Sequence, residues 1–170
     1  MKPDEVKFEG FYKQYCHILD RALTVLKEVG EVKNITTDDL NQIKVLDPAG
    51  GSGAFPNQVH NFLAKKHVEQ IKNKAESEGF DPNLVDIDEK VIDKSILKNN
   101  IFMVDLQPES VEIAKLSLWL KTAKKDQKLN NLDSNIKCGN SLIDDPKIAG
   151  DTAFDWEKEF GGLKNSKSTQ

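Results

Sequence analysis

The stretch Lys44-Val45-Leu46-Asp47-Pro48-Ala49-Gly50-Gly51-Ser52-Gly53-Ala54-Phe55 decides how the rest of the chain is read. Its first four residues have the character of a short buried strand. From Ala54 to about Ser77 the spacing of Phe55, Val59, Phe62, Leu63, Val68 and Ile71 is helical, and Gly79 is a natural stop. A strand, a glycine-rich turn and a helix in that order let the backbone turn tightly and approach a ligand, because a side chain at Gly50, Gly51 or Gly53 would fill the ligand's space. Asp47, at the strand end, can accept hydrogen bonds from a cationic or hydroxyl-bearing ligand. The plain alternative is a glycine-rich turn that serves no ligand. A phosphate loop is disfavoured, since no Gly-Lys-Ser/Thr ending is present.

Working outward, Thr36, Thr37, Asp38 and Asp39 offer caps for a short helical turn through Leu40 and Ile43. Further upstream, Phe8, Phe11, Tyr12, Tyr15, Ile18, Leu19, Ala22, Leu23 and Leu26 make the apolar stripe of an amphipathic helix ended by Gly30. Downstream, Asp81-Pro82 can start a helix carrying Leu84, Val85, Ile92, Ile96 and Leu97 up to Asn99-Asn100. Ile101 to Asp105 reads as a second strand, and Pro108 opens a helix whose apolar residues suggest burial over more than one face. A polar loop from Lys121 to Ser134 leads to a third short strand, Ile136-Lys137-Cys138. Phe154 and Trp156 are expected to anchor the last ordered turn before a polar, frayed tail from Gly161. Strand, helix, strand, helix, strand implies a parallel sheet with crossover helices, a Rossmann-like half.

Two further strand ends carry candidate ligands. Asp105 stands where nucleoside-binding sheets place the acidic residue that accepts hydrogen bonds from ribose hydroxyls. It lies well beyond the roughly 20-residue separation of the plain dinucleotide fingerprint, the excess being the extra helix around residues 82 to 98. Read alone, Asp105 can be a solvated strand end; read with the glycine loop, it is a ribose ligand. In Cys138-Gly139-Asn140-Ser141-Leu142, Asn140 has a donor and an acceptor suited to an adenine edge, or is half of a turn-forming Gly-Asn pair.

The 170 residues are the size of one domain. A net charge of -4 argues against strong nucleic-acid binding by this segment alone. No apolar run is long enough to span a bilayer and the first residues lack the apolar core of a signal peptide, so the expected location is cytoplasmic, without membrane partners. Cys16 and Cys138 have no metal-site spacing. His17, His60 and His67 form no triad and are expected to be solvated or packed. Lys121, Lys124, Lys125 and Lys128 make a basic cluster read as a solvated loop rather than a phosphate contact.

Asp47 to Phe55 resembles the first motif of gamma-class amino-methyltransferases, Asp-Pro-Ala-Cys-Gly-Ser-Gly-Ala-Phe. The block Val104 to Leu120 and the stretch Asn131 to Ile143 resemble the corresponding parts of the N6-adenine methyltransferase domain in type IIG fused restriction and modification enzymes. The resemblance covers most of residues 44 to 143 and implies a partial Rossmann-like α/β fold that binds S-adenosylmethionine. It implies a cofactor-binding set of Asp47, Pro48, Ala49, Gly50, Gly51, Gly53, Phe55, Asp105, Leu106 and Asn140. Asp47 and the glycine loop would surround the methionine moiety, with Phe55 walling the pocket, Asp105 on the ribose and Asn140 beside the adenine. Three positions depart from the pattern: Gly50 where cysteine is common, and Phe102-Met103 where Tyr-Gly is frequent.

A larger departure concerns the substrate side. The family activates the poorly nucleophilic adenine amine with Asn/Asp-Pro-Pro-aromatic, and stacks the aromatic ring on a flipped-out base. The prolines here are 3, 48, 56, 82, 108 and 146, no two adjacent, so no catalytic residue is assigned; the two distant cysteines give no reason to expect a metal. The expectation is an N-terminal helical segment at 1–43, a cofactor-binding half domain at 44–160 and a polar tail at 161–170. This would be the cofactor half of a DNA methyltransferase of a restriction-modification system, inactive alone, as a natural truncation, a split subunit or an excised piece. DNA would be met through separate regions. In the implied topology the first strand lies at the sheet centre, so in such a half it becomes an edge open to a complementary methyltransferase half or a second copy. The rivals are a methyltransferase piece acting on RNA or protein, and a non-catalytic cofactor-binding or assembly subunit.

Overall fold

The computed structural model describes residues 35–123 and 131–161. The upstream amphipathic stripe, Cys16, His17, Lys124, Lys125, Lys128 and the tail from residue 162 lie outside the described residues.

Helix α1 (Thr37–Gln42) opens with a reciprocal cap: Thr36 Oγ1 accepts from the Asp39 N–H at 3.2 Å, and Asp39 Oδ2 accepts from the Thr36 N–H at 2.7 Å. Strands β1 (Val45–Asp47), β2 (Ile101–Asp105) and β3 (Ile136–Cys138) form a parallel sheet in the order β1-β2-β3. Asp47 pairs with Met103, and Asp105 with Cys138. Parallel neighbours need long crossovers. These are supplied by α2 (Ala54–Ser77) with α3 (Glu89–Asn99), and by α4 (Pro108–Thr122). The result is a partial Rossmann-like α/β arrangement, with β1 at one end of the described sheet.

The period of two along β2 sorts its residues between two cores. Ile101 and Met103 face the helices and pack with Val59, Leu63, Ile96 and Leu118, all nearly inaccessible to solvent. Phe102 and Val104 face the other way and meet Phe154 and Phe160. The segment after β3 covers this second face with a short helix α5 (Pro146–Ala149), a 3-10 turn and helix α6 (Trp156–Phe160). The Asp155 carboxylate caps α6 by accepting from the Glu157 and Lys158 N–H groups. Lys137 on β3 pairs with Glu159 at 2.6 Å. Phe154 and Trp156 therefore anchor more than a final turn; they roof one side of the sheet. Burying rings of this size is worth about 2 kcal/mol each. Gly139 makes the approach possible, since a Cβ there would lie 2.5 Å from the Phe154 ring.

The helix expected from Asp81-Pro82 begins seven residues later. Asp81 instead closes a turn, its carboxylate accepting from the Asn83 N–H at 2.8 Å, and Leu84 is 83% exposed. Asp88 is the true cap, accepting from the Lys90 N–H at 3.0 Å. Only beyond it does the apolar stripe meet the core, at Ile92, Ile96 and Leu97. On α4 the expected burial over several faces is also narrower: Val111, Ala114 and Leu118 are buried, whereas Ile113, Leu116 and Leu120 are exposed.

Two buried asparagines close the amino ends of the strands. The Asn100 amide donates to the carbonyls of Leu40 and Ile43, and that of Asn135 to those of Leu97, Lys98 and Ile101. They satisfy carbonyls left over where α1 and α3 end. Among the described residues, no helix is long and apolar enough to cross a membrane.

Candidate functional site

At the opposite, carboxyl ends of the strands stand Asp47, Asp105 and, two residues past β3, Asn140. Open parallel sheets bind ligands outside this edge. The glycine turn lies here and is built by contacts with β2. The Gly50 N–H donates to the Val104 carbonyl at 3.1 Å, which stitches the turn to the central strand. The Gly51 N–H donates to Asp105 Oδ2 at 2.8 Å. The other carboxylate oxygen of Asp105 accepts from the Gln107 N–H at 2.9 Å, at the start of α4. Each oxygen keeps a lone pair after these bonds.

The three glycines do different work. Gly51 has φ +54° and nothing within 4 Å of where a Cβ would be, so it faces open space in a conformation that favours glycine. Gly53 has φ +86°, and its Cβ would lie 2.8 Å from that of Ala114, so it brings the start of α2 against α4. Asn57 secures the same junction, its amide donating to the Gly53 carbonyl and to Ser117 Oγ at 2.9 and 2.7 Å. At Gly50 the obstacle is Met103, whose Cγ would be 2.4 Å from a Cβ. The space that the sequence reading gave to a ligand at all three positions is thus open only at Gly51. Of the three positions that depart from the resembled pattern, 50 and 103 are the two sides of one contact.

Asp47 is half-buried and its Oδ1 accepts from the Ala49 N–H at 3.1 Å. Burial pushes its pKa up; the Ala49 bond opposes this, and the neighbouring negative charge of Asp105 adds to it. Among the described residues neither carboxylate has an ion-pair partner, and a cationic ligand would relieve the repulsion between them. Asn140 realises its turn-forming role: its Oδ1 accepts from the Leu142 N–H at 3.1 Å. That uses one of the oxygen's two lone pairs and leaves the amide hydrogens for a ligand.

Of the remaining expected residues, Pro48, Ala49 and Leu106 are exposed at this edge, while Phe55 is half-buried and packs against the core between the helices. His60 and His67 are packed on α2. His60 lies 3.3 Å from Asp93, but that carboxylate is shared with Lys90. Burial, aided by Lys121, holds the imidazole neutral with its pKa lowered to about 4. Lys121 belongs to the last turn of α4 and not to the expected loop, and it donates to Asn61 at 2.7 Å. Asn57, Asn100 and Asn135 were not singled out from the sequence, because their partners lie as far as 60 residues away.

The Eco57I restriction-modification methylase family matches residues 99–168. Over 137 residues, 74% of the chain, the sequence is 34% identical to a Methanocaldococcus jannaschii protein named for a type II restriction enzyme and methyltransferase. The chain spans 11% of that protein's length. No solved structure matches the chain.

Proposed function

We propose, from the premise that the chain belongs to the restriction-modification methylase family, that it is the S-adenosylmethionine-binding part of a DNA adenine-N6 methyltransferase. The observation that carries this reading is the pair Asp47 and Asp105, set at adjacent strand ends around an open glycine turn and lacking a cation partner among the described residues. Such a site suits a ligand bearing both positive charge and a ribose.

The residues fit the cofactor by their chemistry. Asp47 and the Gly50 to Gly53 turn hold the cationic methionine end, Asp105 accepts from ribose hydroxyls with its remaining lone pairs, and the Asn140 amide donates to the adenine ring. Leu106 lies along the same edge. When bound, the cofactor supplies an electrophilic methyl group. The chain's own part is to bind and orient it. Activation of the target amine needs a paired acceptor and a stacking ring, and these 170 residues contain no Asn/Asp-Pro-Pro-aromatic to provide them. DNA and the acceptor-side residues are therefore met through other regions, and because β1 ends the sheet among the described residues, its outer edge is the natural junction.

Calorimetry on the 170-residue chain tests the reading. S-adenosylmethionine and its demethylated product should bind more tightly than NAD, and Asp105→Ala should weaken both by about tenfold or more. Tighter binding of NAD, or an affinity indifferent to Asp105, would remove the assignment. The same chain should transfer no labelled methyl group to adenine in duplex DNA.

A further inference from the structure

We propose that Met103 is a positioning residue for cofactor binding: residues 50 and 103 share one volume beneath the glycine turn, and Met103 fills it. This rests on the cofactor reading of the site. Gly50 is not in the left-handed region, so its backbone alone does not require glycine. The obstacle to a side chain is Met103, with Cγ, Sδ and Cε at 2.4, 2.6 and 3.2 Å from an added Cβ. Two of these atoms precede the flexible end of the side chain, and Met103 is 0% exposed in the helix-facing core, which leaves it little room to retreat.

The turn is held on either side of this contact by Gly50 N–H to Val104 and Gly51 N–H to Asp105. Bulk at 50 with Met103 in place lifts the turn off β2 and breaks the Gly51 bond that orients the ribose-binding carboxylate. Removing bulk at 103 makes room for a side chain at 50. The two positions are therefore exchangeable as a pair and not singly, and Met103 acts on the ligand through the height of the turn.

A double-mutant cycle decides this, using Gly50→Ala, Met103→Ala and both together, with affinity for the demethylated cofactor read by calorimetry. Gly50→Ala should lower affinity about tenfold and the thermal midpoint by roughly 3–10 °C. In the Met103→Ala background the same change should cost less than about twofold in affinity. Leu97→Ala, a core truncation on α3, should lower the midpoint while leaving the affinity of the folded protein unchanged, separating positioning from stability. Additive losses across the cycle, or an affinity loss with Leu97→Ala equal to that of Gly50→Ala, would overturn the proposal. Should Gly50→Ala fail to fold, folding of the double variant is the expected rescue, and its failure while Met103→Ala folds would overturn it. If the unmodified chain binds no cofactor, the reading of the site fails and the pair is still judged by amide exchange at Gly51. Exchange should be faster in Gly50→Ala and return to the Met103→Ala rate in the double variant, and additive rates would sink the pairing.

Discussion

The two ends of the sheet use similar residues to opposite effect. At the amino end Asn100 and Asn135 are buried, and their amide hydrogens are spent on carbonyls of α1, α3 and the adjoining chain. At the carboxyl end Asp47, Asp105 and Asn140 are only half-buried, and each keeps hydrogen-bonding capacity that the protein does not use. Residue type does not separate these roles. What separates them is where the unused capacity lies: at the amino edge the amide donors are spent on the fold and the acceptor left over, Asn100 Oδ1, is sealed from solvent, whereas at the carboxyl edge the unused groups are reachable by a ligand.

The strongest way to break this contrast is at the closed edge. Asn135→Ala strips a shared donor from three carbonyls and should cost roughly 2–4 kcal/mol in urea unfolding, with the affinity of the remaining folded protein retained. A large loss of affinity without loss of stability would erase the distinction between the edges. Asp105→Asn sharpens it at the open edge. The asparagine oxygen can still accept from Gly51, but the second acceptor is gone, so calorimetry should show about a tenfold weaker cofactor while unfolding shifts by less than about 1 kcal/mol.

The smallest effect concerns pH. Because the folded-state pKa of Asp47 is raised from 3.8, the native chain binds more protons than the unfolded one between that value and the raised one. Its contribution therefore falls as pH rises through that window and stays unfavourable above it. Asp47→Asn should stabilise the protein at pH 7 by on the order of half a kcal/mol, since solvent screens a half-exposed group, and the gain should vanish near pH 3. A cationic cofactor favours the ionised carboxylate, so affinity should rise with pH across the same window. Urea titrations and calorimetry at several pH values read both slopes.

Much of this was legible in the chain itself. The strands ending at Asp47, Asp105 and Cys138 fell where short apolar runs meet glycine or aspartate, and the cap of α1 is a local pattern within four residues. The start of α3 was misplaced because Asp81 and Asp88 both precede plausible stripes. Which of them caps depends on where the core lies, and Leu84 faces solvent. The position of the glycine turn was readable, but the reasons for its glycines were not, since Met103 and Ala114 approach Gly50 and Gly53 only after the crossovers close. The same holds for Asn135 and for the aromatic roof of Phe154 and Phe160 over Phe102 and Val104.

The bond between Gly51 and Asp105 joins residues 54 apart, across the whole β1-to-β2 crossover. No local fragment of the chain can make the site. At the usual pace of synthesis, about 5–20 residues per second, Asp105 leaves the ribosome roughly 3–11 s after Gly51, and pairing of parallel strands over such a separation is slow. Until then the turn has Asp47 beside it but lacks the Asp105 carboxylate that accepts from Gly51. Competence for ligand arrives late and all at once, and a ligand present during synthesis can select only chains whose crossover has already closed.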